Sequence, residues 1–257
     1  MRISITSALV ALGLLVTPNL AYAQSGDDKP LNPMTLLKDM SSDLGGQKAF
    51  SFETTGFFDE RFEDQMIKRV MTWSVSVVRP NRMAFKAVAD DGEEWFGDFD
   101  GTRARVFYAL DKEYAEIPFE GNLNDFVDFA DASGLTKTPI NDFLRTDLFG
   151  DIEEVIFDAL LIDGYYDPET PDELIHHVLY QSPNTIWQLW VRETEENYVP
   201  HRSVVTYTNR LGRPEFTNQF RNWSFSVDID AAATAYGIPK SLDGWTKVEF
   251  ENPLQTN

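Results

Sequence analysis

The chain contains no cysteine. No disulfide can staple it, and no thiolate is present to attack a carbonyl or hold a metal. A bacterial lipoprotein carries its lipid on a Cys just after the signal peptide, so the chain is expected not to be lipid-anchored. Histidine is nearly as scarce, with three in the whole sequence. His176 and His177 are neighbours in a strand-like run, so their side chains point to opposite faces and cannot share one ion. His201 follows Pro200 at a strand start. No G-x-S-x-G elbow occurs, so a nucleophile–histidine–carboxylate constellation has nothing to form around. These absences lead us to expect no enzyme, no metal and no cofactor.

Basic residues are also few: 22 Lys and Arg against 42 Asp and Glu, a formal net charge of −20. Binding to a phosphate backbone needs a basic patch, so nucleic acid is an unsuitable partner. The same charge opposes docking on anionic lipid headgroups and favours solubility. Long apolar runs are missing too. The longest, Ala8–Val16, falls short of the roughly 20 residues that cross a bilayer, so the chain is expected not to span a membrane.

That short run has a recognisable setting. Met1–Arg2 supplies a positive start, Pro18 breaks the helix, and Ala21-Tyr22-Ala23 is an A-x-A cleavage site. This is the layout of a secretory signal peptide. There is one Arg and no twin-Arg pair, which points to the general secretory route and a periplasmic product. Residues 1–23 are read as the signal peptide and 24–33, polar and Pro-containing, as a flexible tether. The remaining 34–257 are long enough for one domain that buries about 70% of its unfolded surface.

Met34, Leu36, Leu37, Met40 and Leu44 have helical spacing, and Gly45-Gly46 is expected to end that helix. From Ala49 the period becomes two. Phe50 and Phe52 alternate with polar residues, then Trp73, Val75 and Val77 with Ser74 and Ser76, then Met83, Phe85 and Ala87. Asp100-Gly101 joins two further runs as a hairpin turn, since both residues tolerate positive φ. Residues 122–158 revert to a spacing of three and four, interrupted at Gly134, Pro139 and Gly150, and read as short amphipathic helices. Strands resume over His176–Gln181, Ile186–Val191, Arg202–Tyr207, Phe216–Arg221 and Trp223–Val227. A last short helix is expected at Ala231–Tyr236, and Asp163–Glu173 reads as a long acidic loop.

The expected fold class is therefore α+β, mainly β. It is a single large curved antiparallel sheet, an open half-barrel of about ten or eleven strands, with helices covering the concave face. Such a fold can enclose an apolar cavity. The candidate lining is Trp73, Val75, Val77, Met83, Phe85, Trp187 and Leu189 on the sheet. Phe126, Phe129, Phe143 and Leu144 are expected on the inner side of the insert, which would act as a lid hinged at Gly134 and Pro139. Two acidic clusters could suggest calcium. Asp90-Asp91-Gly92-Glu93-Glu94 and Asp98-Phe99-Asp100-Gly101 lack the offsets of a calcium loop and read as turns. Asn222-Trp223-Ser224 fits the glycosylation tripeptide but falls in a strand.

Five segments resemble a family of predicted periplasmic proteins, domain of unknown function 2092. They are Leu44–Phe52, Val78–Met83, Phe99–Thr102, Trp187–Val191, and Pro200–Arg202 leading to Thr206-Tyr207. They are similar as well to the wider LolA/LolB-like lipoprotein-carrier superfamily. The resemblance implies a LolA-like half-barrel closed by helices, with a hydrophobic cavity for acyl chains. It implies as cargo a lipid or a lipidated protein, and no cargo-contacting residue carries over individually. The alternative function is an envelope sensor or protein-interaction module, with an envelope protein as partner. Processing can be checked first. Protein from the periplasmic fraction is expected to begin at Gln24, and N-terminal sequencing that finds Met1 there would contradict the leader.

Overall fold

The computed structural model describes residues 31–133, 140–148, 150, 152–168 and 170–250. The leader, its Ala21-Tyr22-Ala23 site, most of the tether and the hinge residues Gly134 and Pro139 lie outside the described residues. Asn32–Asn257 form one unit of the chain. That unit opens with α1 (Pro33–Gly46) and six strands: β1 (Ala49–Phe62), β2 (Gln65–Val78), β3 (Arg82–Ala89), β4 (Glu94–Phe99), β5 (Arg103–Tyr108) and β6 (Glu113–Pro118). A helical stretch comes next, with α2 (Leu123–Ser133), a 3-10 helix (Asn141–Leu144) and the single turn α3 (Ile152–Val155). Then come β7 (Asp158–Tyr166), β8 (Leu174–Gln181), β9 (Thr185–Glu193), β10 (Tyr198–Tyr207), β11 (Glu215–Ser224), α4 (Ile229–Tyr236) and β12 (Thr246–Val248). All twelve strands form one open curved sheet in the order β12-β6-β5-β4-β3-β2-β1-β11-β10-β9-β8-β7. The expected fold class is the one observed, with two strands that sequence patterning did not find, β7 and β12. Every pairing is antiparallel except β12 on β6.

Local chemistry explains the ends of the helices. Asn32 caps α1 by accepting from the Met34 and Thr35 amides at 2.8 and 3.2 Å, and Pro33 starts it. Leu36, Leu37, Met40 and Leu44 are its buried face. Gly45-Gly46 end the helix as expected, as its last two residues before the cap residue Gln47. A Cβ on Gly45 would stand 1.8 Å from the Thr146 carbonyl oxygen, so glycine is needed there for close approach of another segment. Asp228 caps α4 in the same way as Asn32, and Gly237 closes it at φ +96°.

The β1–β2 hairpin is longer than its apolar alternation suggests. β11 pairs with β1 only as far as Phe58, and β3 pairs with β2 only from Met71 onward. The outer part of the hairpin is thus a two-stranded ribbon beyond the sheet, largely exposed and carrying Phe62 and Met66 at the surface, turning at Glu63 with φ +53°.

The two C-terminal runs expected as separate strands are one, β11. Register slips between Ser51 and Glu53 of β1, opposite Asn222 of β11, whose φ is +54°. This is a β-bulge, and an extra residue reverses the side-chain alternation beyond it. Without it Trp223 would face away from Phe220. With it the Trp223 ring lies 4.7 Å from Phe52 and 6.0 Å from Phe220. Asn222 Nδ2 donates to Glu53 at 2.9 Å, which fixes the kink.

Helices pack on both faces of the sheet. α1 lies across β10 and β7. α4 lies against β2, β3 and β4 and buries Ala84, Phe96, Phe107, Ile229 and Ile238. Here Ser76 is buried, its hydroxyl 2.9 Å from that of Tyr236. The alternation read in β2 is correct, but its serine side is roofed as well. On the other face, two aromatic rings lie flat over glycines. A Cβ on Gly56 would come within 2.4 Å of the Trp73 ring, and one on Gly97 within 2.7 Å of the Phe85 ring and 2.3 Å of the Arg105 carbonyl. Gly97→Ala is expected to cost about 1–3 kcal/mol in urea unfolding, because the core must shift to admit a methyl. Gly92→Ala, at φ +89° in open space, is expected to cost only about 1 kcal/mol of backbone strain. The reverse ranking would contradict the packing of Phe85 on Gly97.

Candidate functional site

Register decides which candidate residues share a face. On β2 and β3, Val75 sits opposite Phe85 and Val77 opposite Met83, with Trp73 on the same side. Across β1, Trp73 is opposite Thr54, and Thr54 is opposite Phe220 of β11. Across β10, Ser203 is opposite both Asn218 and Leu189, and Val205 opposite both Phe216 and Trp187. Residues directly opposite one another project to the same side. Trp73, Val75, Val77, Met83, Phe85, Trp187 and Leu189 therefore share one face, the inner face of the sheet. All but Phe85, which is half-buried, are buried.

The four insert residues divide into two groups. Phe143 and Leu144, on the 3-10 helix, are buried, and Phe143 meets Phe220 edge-on with ring centres 4.9 Å apart. Phe126 stacks on Phe99 at 4.5 Å, and Phe129 lies 5.0 Å from Phe119; both are half-buried. The first pair touches the middle of the sheet and the second its β4–β6 side.

Around these apolar contacts, polar bonds fix the margins of the segments. Arg79 donates from Nη1 to the Leu144 carbonyl and from Nη2 to the Arg145 carbonyl, both at 2.8 Å, with its guanidinium 5.3 Å from the Phe50 ring. Burial pulls its pKa down to about 10, so it stays protonated at neutral pH. Arg145 pairs with Asp128 and with Asp131, the latter at 3.0 Å, tying the 3-10 helix to α2. Asn124 donates to Thr146 Oγ1 at 2.6 Å. α1 is anchored by Tyr180, whose hydroxyl donates to the Pro33 carbonyl at 2.7 Å and whose pKa burial pushes up.

Sequence reading missed several residues of the inner face. Trp223 was hidden by the bulge. Thr54, Gly56 and Asn218 continue the period-two pattern but are not apolar. Thr54 Oγ1 and Asn218 Oδ1 are buried with no partner among the described protein atoms. Each could receive a hydrogen bond from a buried water or from a polar group of a ligand. Trp187 is satisfied, its indole N–H donating to Ser203 at 2.8 Å.

The two acidic clusters are engaged in ion pairs and turns. Asp90 and Asp91 both bind Arg69, and Asp98 pairs with Arg105. Asp100 accepts from the amides of Thr102 and Arg103 to form the hairpin turn. The histidines diverge as expected. His176 Nε2 is 2.7 Å from Glu193, whereas His177 stacks on Trp190 at 4.0 Å. Among the described residues, no group of three or more His, Cys, Asp or Glu could hold a metal ion, and no helix is long and apolar enough to cross a membrane.

A family described as "Predicted periplasmic protein (DUF2092)" matches residues 34–250. The chain belongs to this family. Membership places it in the periplasm, the compartment expected from the sequence. Among curated proteins no match was found. Solved structures give distant likenesses. An uncharacterized conserved protein from Thermus thermophilus aligns at TM-score 0.45 and 10% identity, over 84% of this chain and 98% of its own. A LolA superfamily protein from Nitrosomonas europaea aligns at TM-score 0.36 and 10% identity, over 78% and 96%. MucB in its Pseudomonas aeruginosa complex with MucA aligns at TM-score 0.40 and 11% identity, over 78% and 60%. At these scores the likenesses carry no weight about what the DUF2092 chain binds.

Arg79 gives the testable point. Arg79→Met removes both carbonyl contacts and is expected to cost about 1.5–3 kcal/mol, the range for hydrogen bonds to a charged group. Amide exchange at 143–146 should accelerate more than in α4. Unchanged exchange there would mean that Arg79 does not hold the 3-10 helix.

Proposed function

We propose that this protein is a periplasmic binder or carrier of a hydrophobic ligand, a lipid or the acyl chain of a lipoprotein, taken up between the inner face and the helical insert. The observation that carries the reading is the make-up of that contact. The inner face is mainly apolar and aromatic from β3 to β9, and the segment over its centre brings the buried Phe143 and Leu144 to it while polar bonds hold its margin. Arg145 and its carboxylate partners Asp128 and Asp131 are partly or largely exposed, and such pairs are worth only about 0–1 kcal/mol each. Opening the insert would break these weak margin pairs and the two Arg79 contacts, and the apolar surface uncovered beneath Phe143 and Leu144 is what an acyl chain would cover again, at about 0.8 kcal/mol per methylene. The eleven candidate residues form the proposed site. Binding of this kind needs no catalytic group.

The second reading is an envelope sensor or interaction module built on the same sheet. It is favoured by a different observation, the exposed apolar edge strand β7.

Phe143→Ala separates a lid from a sealed core. In a sealed core it should cost about 3–5 kcal/mol. The carrier reading expects a smaller loss, together with weaker capture of a fluorescent fatty acid by the same purified variant. A full loss of stability, with no probe bound by the unmodified protein, would overturn the reading.

A further inference from the structure

Eleven large apolar side chains stand exposed among the described residues, and six of them lie between Val155 and Tyr166: Val155, Phe157, Leu160, Ile162, Tyr165 and Tyr166. The last four belong to β7, the terminal strand of the sheet, which pairs with β8 alone. Its other edge presents a row of backbone N–H and C=O groups with no strand beside it among the described residues. Long apolar edges of this kind are templates for another strand, and proteins normally keep them short, charged or covered. The opposite edge of the sheet obeys that rule, since β12 is three residues long and includes Lys247.

The charge around β7 indicates what could pair with it. Between Arg145 and Arg192 the sequence holds ten Asp and Glu and no Lys or Arg. Asp158 and Asp163 lie on β7 itself, and the Asp163 side chain is largely exposed despite its 3.5 Å approach to His177. Arg192 is occupied by Asp167 at 2.8 Å and Glu173 at 3.2 Å. A second copy of the chain is poorly suited, because antiparallel pairing of two β7 edges would bring Asp158 and Asp163 of both copies together at a net charge of −20 each. The chain's own ends are unsuited as well: 24–30 (QSGDDKP) and 251–257 (ENPLQTN) have no apolar alternation. The bulge between Leu161 and Asp163 further limits casual pairing.

We propose that the free edge of β7 takes up an extended segment of a partner protein as an added strand, one in which apolar residues alternate with Lys or Arg. Main-chain bonds would supply the affinity, Leu160, Ile162 and Tyr165 the apolar contacts, and the acidic surround the choice of partner. The proposal does not depend on the ligand reading, because it concerns the edge of the sheet and not its inner face.

Fluorescein-labelled alternating Val-Lys peptide and its Val-Glu counterpart test it on the mature protein. Binding is read by anisotropy, and the contact is located by hydrogen exchange. The Val-Lys peptide should slow exchange of the 158–166 amides, and its binding should weaken with added salt. Ile162→Lys and Asp163→Lys should each weaken it at least about tenfold. Leu211→Lys, the same kind of change at a 90% exposed residue in the β10–β11 turn, should have no effect. Thermal melts verify that the variants fold; should Ile162→Lys melt early, the Asp163→Lys variant decides the outcome. No protection at 158–166, equal binding of the Val-Glu peptide, or an equal loss with Leu211→Lys would overturn the proposal. So would sedimentation showing a dimer that Ile162→Lys dissociates, since the occupant would then be a second copy.

Discussion

The side-chain alternation of a β-strand is the constraint on which the rest of this structure depends. A twelve-stranded sheet stays in one piece only if every strand presents its apolar residues to the same side as its neighbours, and a slip of one residue anywhere turns a strand inside out. Here the alternation runs unbroken from Phe85 on β3 through Val75, Phe52 and Thr54 to Phe220, and on through Ser203 to Leu189. Register slips at Pro200–Arg202 of β10, at Leu161–Asp163 of β7 and at the end of β11; at the last of these an aromatic side chain would otherwise be lost from the inner face. The bulge at Asn222 prevents this, returning Trp223 to the ring cluster of Phe50, Phe52 and Phe220. The helices respond to this layout: α1, the 3-10 helix and α2 cover the inner side, and α4 covers the stretch of the other side where Phe96 and Phe107 are also apolar.

Much of this was legible in the residues. The strands over Trp73–Val77 and Met83–Ala87, the Asp100-Gly101 turn and the divergence of His176 and His177 follow from period and turn chemistry alone. What was not legible has specific causes. β7 is largely exposed though α1 crosses it, so its acidic and aromatic residues read as a loop through Glu173, although the strand runs to Tyr166. β12 is three residues long and is held by parallel pairing with β6, a contact that leaves no local pattern. The outer half of the β1–β2 hairpin mixes charged residues with exposed Phe62 and Met66 and so shows no clean alternation, and its Glu63 turn lacks the glycine that usually marks one. Trp223 could not be assigned to a face without knowing of the bulge.

The candidate site was legible in a similar, partial way. Period two was enough to group the seven sheet residues. It could not foresee that Phe143 would meet Phe220 while Phe126 went to Phe99, because contacts of the insert depend on its tertiary path. Arg79 stood out only as part of a turn motif, yet it is the side chain that grips the 3-10 helix through two carbonyls. Family membership supplies the compartment.

The central claim is that the inner face is built to cover an apolar guest. Mass spectrometry of material extracted from protein exported to the periplasm and purified without detergent tests it most directly. A co-purifying acyl-chain lipid in near-stoichiometric amount, absent from an equally treated periplasmic control protein, is the predicted result. Protein that arrives free of lipid and takes up none when mixed with phospholipid vesicles or fatty acid would contradict it.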